Sequence, residues 1–175
     1  KNPETTMTSA GHGGLGHLGL ELLALDQKLK ILHVAYRGAG PALNDTVAGQ
    51  VPIIFDNLPS TLQFVKDGRL VPIVVAAPQR LKELPNVPTF KEVGLEPVNR
   101  MAYYGILGPK GLPKEVVDKI NAGVKKAVED PAVKKRIEDT GSLIVANTPD
   151  QFSAQIKAEF DVYKQVVKKQ NLKLD

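Results

Sequence analysis

The chain has 175 residues, 42% of them apolar and 24% charged, which is enough to bury a core as one domain or two small ones. Its 23 Lys and Arg against 19 Asp and Glu give a net charge of +4, but Lys125-Lys126, Lys134-Lys135 and Lys168-Lys169 are interleaved with acids at helical spacing rather than gathered into a stripe with aromatics, which argues against nucleic acid as a partner. No cysteine is available for a disulfide framework or a thiolate metal site, and no apolar run reaches membrane-spanning length.

Residues 1–10 carry no signal-peptide core, and a strand-like stretch begins a few residues after Lys1-Asn2-Pro3, so a preceding portion is expected. Met7 to Ala10 reads as a short strand, Gly11 to Gly14 as a turn, and Leu15, Leu18, Leu22, Leu23 and Leu25 as a helix face. Lys30 to Tyr36 is a second strand, and Pro41 suits the first turn of a helix that runs to Val47 before Gly49. An apolar strand over Val51 to Phe55, a helix from about Pro59 to Lys66 stopped by Gly68, and a buried strand over Val71 to Ala77 follow. Regular alternation of this kind implies parallel β-α-β connections.

Between Pro78 and Pro97 there are four prolines, which predicts a semi-rigid connection with one short helix near Thr89 to Val93. Beyond it, Ala102 to Leu107 and Leu143 to Ala146 read as strands. Val116, Val117, Ile120, Val124 and Val128 mark one helix stripe, and Phe152, Ile156, Phe160, Tyr163 and Val167 mark another. Two short strands are too few to cover both stripes. The chain is therefore expected to self-associate, to pair with a missing segment, or to leave residues 110–175 mobile.

The densest chemical signal is Ser9-Ala10-Gly11-His12-Gly13-Gly14-Leu15-Gly16-His17. Glycines after a strand let the backbone approach a ligand, and the free N–H groups of the following helix favour an anion, so a carboxylate is accommodated without Lys or Arg. Gly11, Gly13 and Gly16 also fit the dinucleotide pattern G-x-G-x-x-G, but the acidic residue expected at the end of the second strand is missing from Ile31-Leu32-His33-Val34-Ala35-Tyr36. A plain tight turn into a helix is the remaining alternative. His12, His17 and His33 do not read as a metal set, because the first two are badly spaced for one helix face and no carboxylate or thiol completes them. Ser9, Ser60, Ser142 and Ser153 lack a nucleophile setting. Asp56-Asn57, at the carboxyl end of its strand, suits a ligand contact or a helix cap equally. Tyr36 and Tyr103-Tyr104 offer aromatic walls or simple packing.

The ordered segments Ser9-Ala10-Gly11, Val34-Ala35-Tyr36-Arg37-Gly38-Ala39-Gly40-Pro41, Ala48-Gly49-Gln50-Val51, Phe55-Asp56-Asn57-Leu58-Pro59-Ser60, Leu84-Pro85-Asn86-Val87-Pro88-Thr89, Tyr104-Gly105-Ile106-Leu107-Gly108-Pro109 and Gly111-Leu112-Pro113 resemble the tripartite tricarboxylate transporter receptors, also called the Bug or TctC family. The resemblance spans essentially the whole chain. It implies an α/β, type II periplasmic-binding fold of two lobes, with residues 1–101 as most of the second lobe and 102–175 as the return that completes the first. The family's N-terminal half of the first lobe, with its own ligand loop, has no counterpart here. By the same resemblance, Ser9, Ala10, Gly11, Gly13 and Gly14 hold one carboxylate through backbone amides and a hydroxyl, and Asp56 meets the distal part of the ligand or its waters. Where the family commonly has Ser or Thr after Gly13 this chain has Gly14, which implies a preference for something less polar.

The implied activity is that of a periplasmic, non-enzymatic receptor that delivers a small carboxylate to membrane permease subunits, without metal or cofactor. A ligand-sensing regulatory domain of the same fold is the alternative, although residues 1–175 contain no helix-turn-helix pattern. A dinucleotide-binding enzyme ranks third.

Overall fold

The computed structural model describes residues 4–173, and the opening Lys1-Asn2-Pro3 lies outside them. Two compact units are present, one built from the chain up to Ala102 together with the stretch from Tyr163, the other from Tyr103–Val162.

In the first unit the expected alternation appears as β1 (Glu4–Ser9), α1 (Leu15–Gln27), β2 (Lys30–Ala35), α2 (Ala39–Val47), β3 (Ile53–Ile54) and α3 (Leu58–Lys66). The strands form a parallel sheet in the order β2-β1-β3. β1 is central, paired along its whole length with β2, from Glu4 opposite Lys30 to Ser9 opposite Ala35. It meets β3 only at Met7–Ile53 and Thr8–Ile54. Parallel strands need a crossover, and the two helical crossovers supply the apolar cover: α1 buries Leu20, Leu22 and Ala24, and α2 buries Ala42 and Leu43. Gly49 and Gly68 end α2 and α3 in the left-handed region, at φ of 77° and 68°, where a side chain would be strained.

Several expected strands are shorter or unpaired, and the reason is the same in each. β3 keeps only two of the residues from Val51 to Phe55, since Pro52 has no N–H to give a ladder, although the Phe55 N–H still reaches the Thr8 carbonyl at 2.9 Å. Val71 to Ala77 contains Pro72 and makes a single parallel bridge, Val75 to Thr89. Its Ala77 is instead held by the Asn99 side chain, which accepts from the Ala77 N–H at 3.1 Å and donates to its carbonyl at 2.9 Å. This joins a small core of Ala77, Leu81, Leu84 and Val87 beneath Leu58, Val65 and Val75. The helix expected near Thr89 to Val93 is a turn, closed by reciprocal Thr89–Glu92 hydrogen bonds and ended by Gly94 at φ 80°.

The second unit holds α4 (Lys114–Glu129), α5 (Pro131–Glu138) and the first turns of α6 (Pro149–Lys169). Asp130 separates α4 from α5: its carboxylate accepts from the Ala132 and Val133 N–H groups at 2.9 and 3.1 Å, and Pro131 takes the first helical position. Ala102 to Leu107 and Leu143 to Ala146 do not form strands. A strand needs a neighbour for its backbone groups, and among the described residues neither segment has one. Tyr104 and Leu107 are accordingly about three-quarters exposed, at 76% and 74%. Local packing is tightest where Phe152 lies on Gly105, with Tyr103 edge-on to the Phe152 ring at 5.6 Å. The final turns of α6 belong to the first unit, where Val166 is buried.

Candidate functional site

In a parallel sheet the carboxyl ends of the strands open toward one edge, and the loops there are the natural place for a ligand. β1 ends at Ser9 and runs into the loop Ala10–Gly14, and β3 passes into Phe55-Asp56-Asn57 beside it. The two loops enclose a cavity of about 180 Å³, lined by Ala10, Gly11, Gly14, Leu15 and Gly16 on one side and Phe55, Asp56 and Asn57 on the other. Pockets that enclose a drug-sized molecule are typically about 300–1,000 Å³, so this one suits a single end of a small molecule and is too small for a dinucleotide.

The walls carry few charges. Gly14 is the N-cap of α1 and supplies no side chain to cap it, so the first-turn N–H groups and the positive end of the helix dipole face the loop without a protein acceptor from the cap position. The Gly11 N–H makes only a marginal 3.5 Å contact with Ser9 Oγ. Opposite, Asp56 Oδ2 is buried with no hydrogen-bond partner, and burial raises the carboxyl pKa, opposed in part by a backbone hydrogen bond from Asn57.

Glycine at position 16 makes this approach possible. A Cβ there would lie 2.6 Å from the Phe55 carbonyl oxygen and 2.8 Å from Ser9 Cβ, so only a residue without a side chain lets α1 start this close to the ends of β1 and β3. Gly19, one turn on, gives the same clearance to the Phe55 ring, with a Cβ at 2.9 Å.

The residues singled out in the sequence divide into two groups. Ala10, Gly11, Gly14 and Asp56 line the cavity. Ser9 and Gly13 are not in its wall: the buried Ser9 hydroxyl donates to the Gly11 carbonyl at 3.1 Å and contacts His33 Nε2 at 2.8 Å, and the Gly13 N–H donates to His17 Nδ1 at 3.0 Å. Leu15, Gly16, Phe55 and Asn57 complete the lining. Gly16 was visible in the sequence only as part of the dinucleotide pattern; its role here is clearance.

Spacing along the chain did not foretell the gathering of His12, His17 and His33. One comes from the loop, one from α1 and one from β2, and their candidate ligand atoms all lie within 4.8 Å of one another. A carboxylate is also near, with Glu21 Oε1 at 3.5 Å from His17 Nε2. His17 and His33 are stacked, however, 4.1 Å apart with 13° between their planes, and the His12 ring lies tilted by 31° at 4.4 Å from His17. An ion in the lone-pair plane of one stacked ring lies outside the plane of the next, and His17 Nδ1 is already occupied by Gly13.

Comparison with known proteins gives a consistent assignment. A family model described as "Tripartite tricarboxylate transporter family receptor" matches residues 1–172. A protein of Pseudomonas sp. strain P51, named for its place in the tcbD-tcbE intergenic region, is 32% identical over 169 residues, 95% of this chain and 50% of its own length. Among solved structures, one described as a periplasmic transporter is 41% identical with a TM-score of 0.88, covering 99% of this chain and 58% of that one. MatC of Rhodopseudomonas palustris with bound malate is 29% identical with a TM-score of 0.77, covering 93% and 56%. The chain spans about half the length of the curated relatives it matches.

Proposed function

The chain belongs to the tripartite tricarboxylate transporter receptor family, and from that premise we propose that it is the ligand-capturing second lobe, with the return of the first, of a periplasmic receptor for a small carboxylate. The observation that carries the reading is the cavity itself, in which glycine-loop amides and an uncapped helix end face a half-buried Asp56 and no Lys or Arg is needed for charge. One carboxylate sits on the Ala10, Gly11 and Gly14 side, in a loop whose turn is held by the Ser9 and Gly13 hydrogen bonds, and Asp56 with Asn57 takes a hydroxyl or a bound water at the other end. The Ser9 hydroxyl does meet His33 Nε2 at 2.8 Å, but it is buried, outside the cavity wall, and gives its proton to the Gly11 carbonyl, so in this reading the protein binds and releases without chemistry and hands its ligand to permease subunits of a tripartite tricarboxylate-type transporter.

A thermal-shift panel tests this. Malate and related small dicarboxylates are expected to raise the melting temperature of the chain by binding the folded state alone. No shift with any small carboxylate, together with a clear shift from a dinucleotide, would instead restore the glycine-fingerprint reading.

A further inference from the structure

We propose that His17 is the positioning residue of the ligand loop, and that the loop is set for an anion only while the His17 imidazole is neutral, so that capture is coupled to release of a proton. The proposal rests on the carboxylate reading of the loop given above.

The hydrogen bonds fix the protonation state. His17 Nδ1 accepts the Gly13 N–H at 3.0 Å and so must carry a lone pair, which places the ring proton on Nε2, toward Glu21 Oε1 at 3.5 Å. Glu21 is itself oriented by Gln170, whose Nε2 donates to Glu21 Oε2 at 2.9 Å. A second proton can enter His17 only at Nδ1, where it would confront the Gly13 N–H donor to donor. Gly13 stands at φ 71° between two loop residues that line the cavity side of the turn, so losing its anchor lets the turn relax.

The surroundings make that second proton unwelcome. His33 from β2 stacks on His17, and the His12 ring from the loop lies tilted against it. His12 is tied to the C-terminal stretch, its Nε2 donating to the Lys173 carbonyl at 3.1 Å. Among the described residues Glu21, on the same helix, is the anion that lies against His17, at 3.5 Å, and it pulls the other way. Burial is the largest effect on His17 and lowers its pKa, the nearby His12 adds to this, and Glu21 opposes it. His33 is held at about 4, by burial first and then by His17 and His12. Burial thus disfavours the charged form of both His17 and His33.

The test is a proton-and-nitrogen NMR titration of the 175-residue chain from neutral pH into acid, with malate as the probe anion. His17 is expected as the Nε2–H tautomer, with the Gly13 amide resonance moving at the same midpoint as the His17 ring. Below that midpoint malate affinity falls, by up to about tenfold per pH unit for one linked proton. His17→Gln keeps an acceptor for Gly13 at every pH and is expected to bind malate near neutrality and to lose the step at the His17 midpoint, leaving only the fall that protonation of Asp56 and of malate itself causes; His17→Ala removes the acceptor and weakens binding about tenfold near neutrality. An Nδ1–H tautomer, a Gly13 amide that ignores the His17 titration, or a His17→Gln profile as steep as that of the wild type each overturns the proposal. Malate that shifts no loop amide at any pH, with the Gly13–His17 co-titration intact, removes the carboxylate reading and leaves the His17 anchor standing. Zn²⁺ alone shifting all three rings together, with loss of the Gly13 contact, would show a metal site in its place.

Discussion

Replacing Gly16 by Ala isolates the close approach that creates the cavity. The new Cβ would meet two rigid neighbours, the Phe55 carbonyl oxygen at 2.6 Å and Ser9 Cβ at 2.8 Å, both below any ordinary carbon contact. Neither is the end of a flexible side chain, so α1 or the end of β3 must move. Overpacking of this kind costs about 1–3 kcal/mol, and contact with backbone puts this case at the upper end. So near the start of α1 alanine returns at most about 1 kcal/mol of helix propensity over glycine, which leaves a net loss of about 2 kcal/mol. With a urea slope near 2 kcal/mol/M the unfolding midpoint should drop by about 1 M. Gly14→Ala is the comparison: its Cβ would stand 3.8 Å from the nearest atom, the Gly11 carbonyl oxygen, an ordinary contact, so its loss is limited to the poorer N-cap, under about 1 kcal/mol. Urea unfolding followed by circular dichroism, with malate binding measured in parallel, is the assay. If Gly16→Ala is as stable as the parent, or if Gly14→Ala loses as much, close approach is not what the glycine provides.

Gly13→Pro forces a φ near −65° where the chain needs 71° and removes the donor to His17, so malate affinity should fall at least about tenfold while far-UV dichroism stays close to that of the parent; calorimetry with unchanged affinity sinks the loop assignment. Stability should decline in acid, because His33 stays neutral in the fold down to about 4 whereas the unfolded ring takes a proton near 6.5: its contribution is complete above about 6.5 and is lost between there and about 4. The ceiling is about 3 kcal/mol, reduced to about 1–2 by solvent reaching a half-buried ring, and His33→Gln should flatten that part of the melting-temperature profile. Asp56→Asn relieves a carboxylate whose ionised form burial disfavours, so it should stabilise the chain at neutral pH by under about 1 kcal/mol and lose that advantage below about pH 4, while weakening ligand binding. Exposed Tyr104, Ile106, Leu107 and Val145 should drive self-association of the 175-residue chain, visible as a concentration-dependent sedimentation coefficient; a strict monomer at all concentrations contradicts this.

The order of elements from β1 to α3 was legible in the sequence because each depends on local chemistry. Apolar spacing marks the helix faces, and Gly49 and Gly68 stop helices at positive φ wherever the rest of the chain lies. The glycine turn into α1 was legible for the same reason, since free N–H groups at a helix start follow from connectivity. The break between α4 and α5 was also written locally, as a capping Asp130 before Pro131, though apolar periodicity alone passed over it. What only the tertiary structure decided involves partners far apart in the chain. Ala102 to Leu107 has the residues of a strand, but a strand exists only if another backbone runs beside it. Ser9 and Gly13 were equals of Gly11 and Gly14 by composition, and packing turned the first pair inward onto His33 and His17 while the second pair faced the cavity. His12, His17 and His33 had no meaningful spacing in sequence; they meet because parallel pairing sets β2 beside β1, so that His33 arrives next to the loop and the start of α1. Local preferences fix each segment's conformation, but which side chains share a dry, low-dielectric space is set by how the segments pack, and that is where the hydrogen bonds and shifted proton affinities of this site arise.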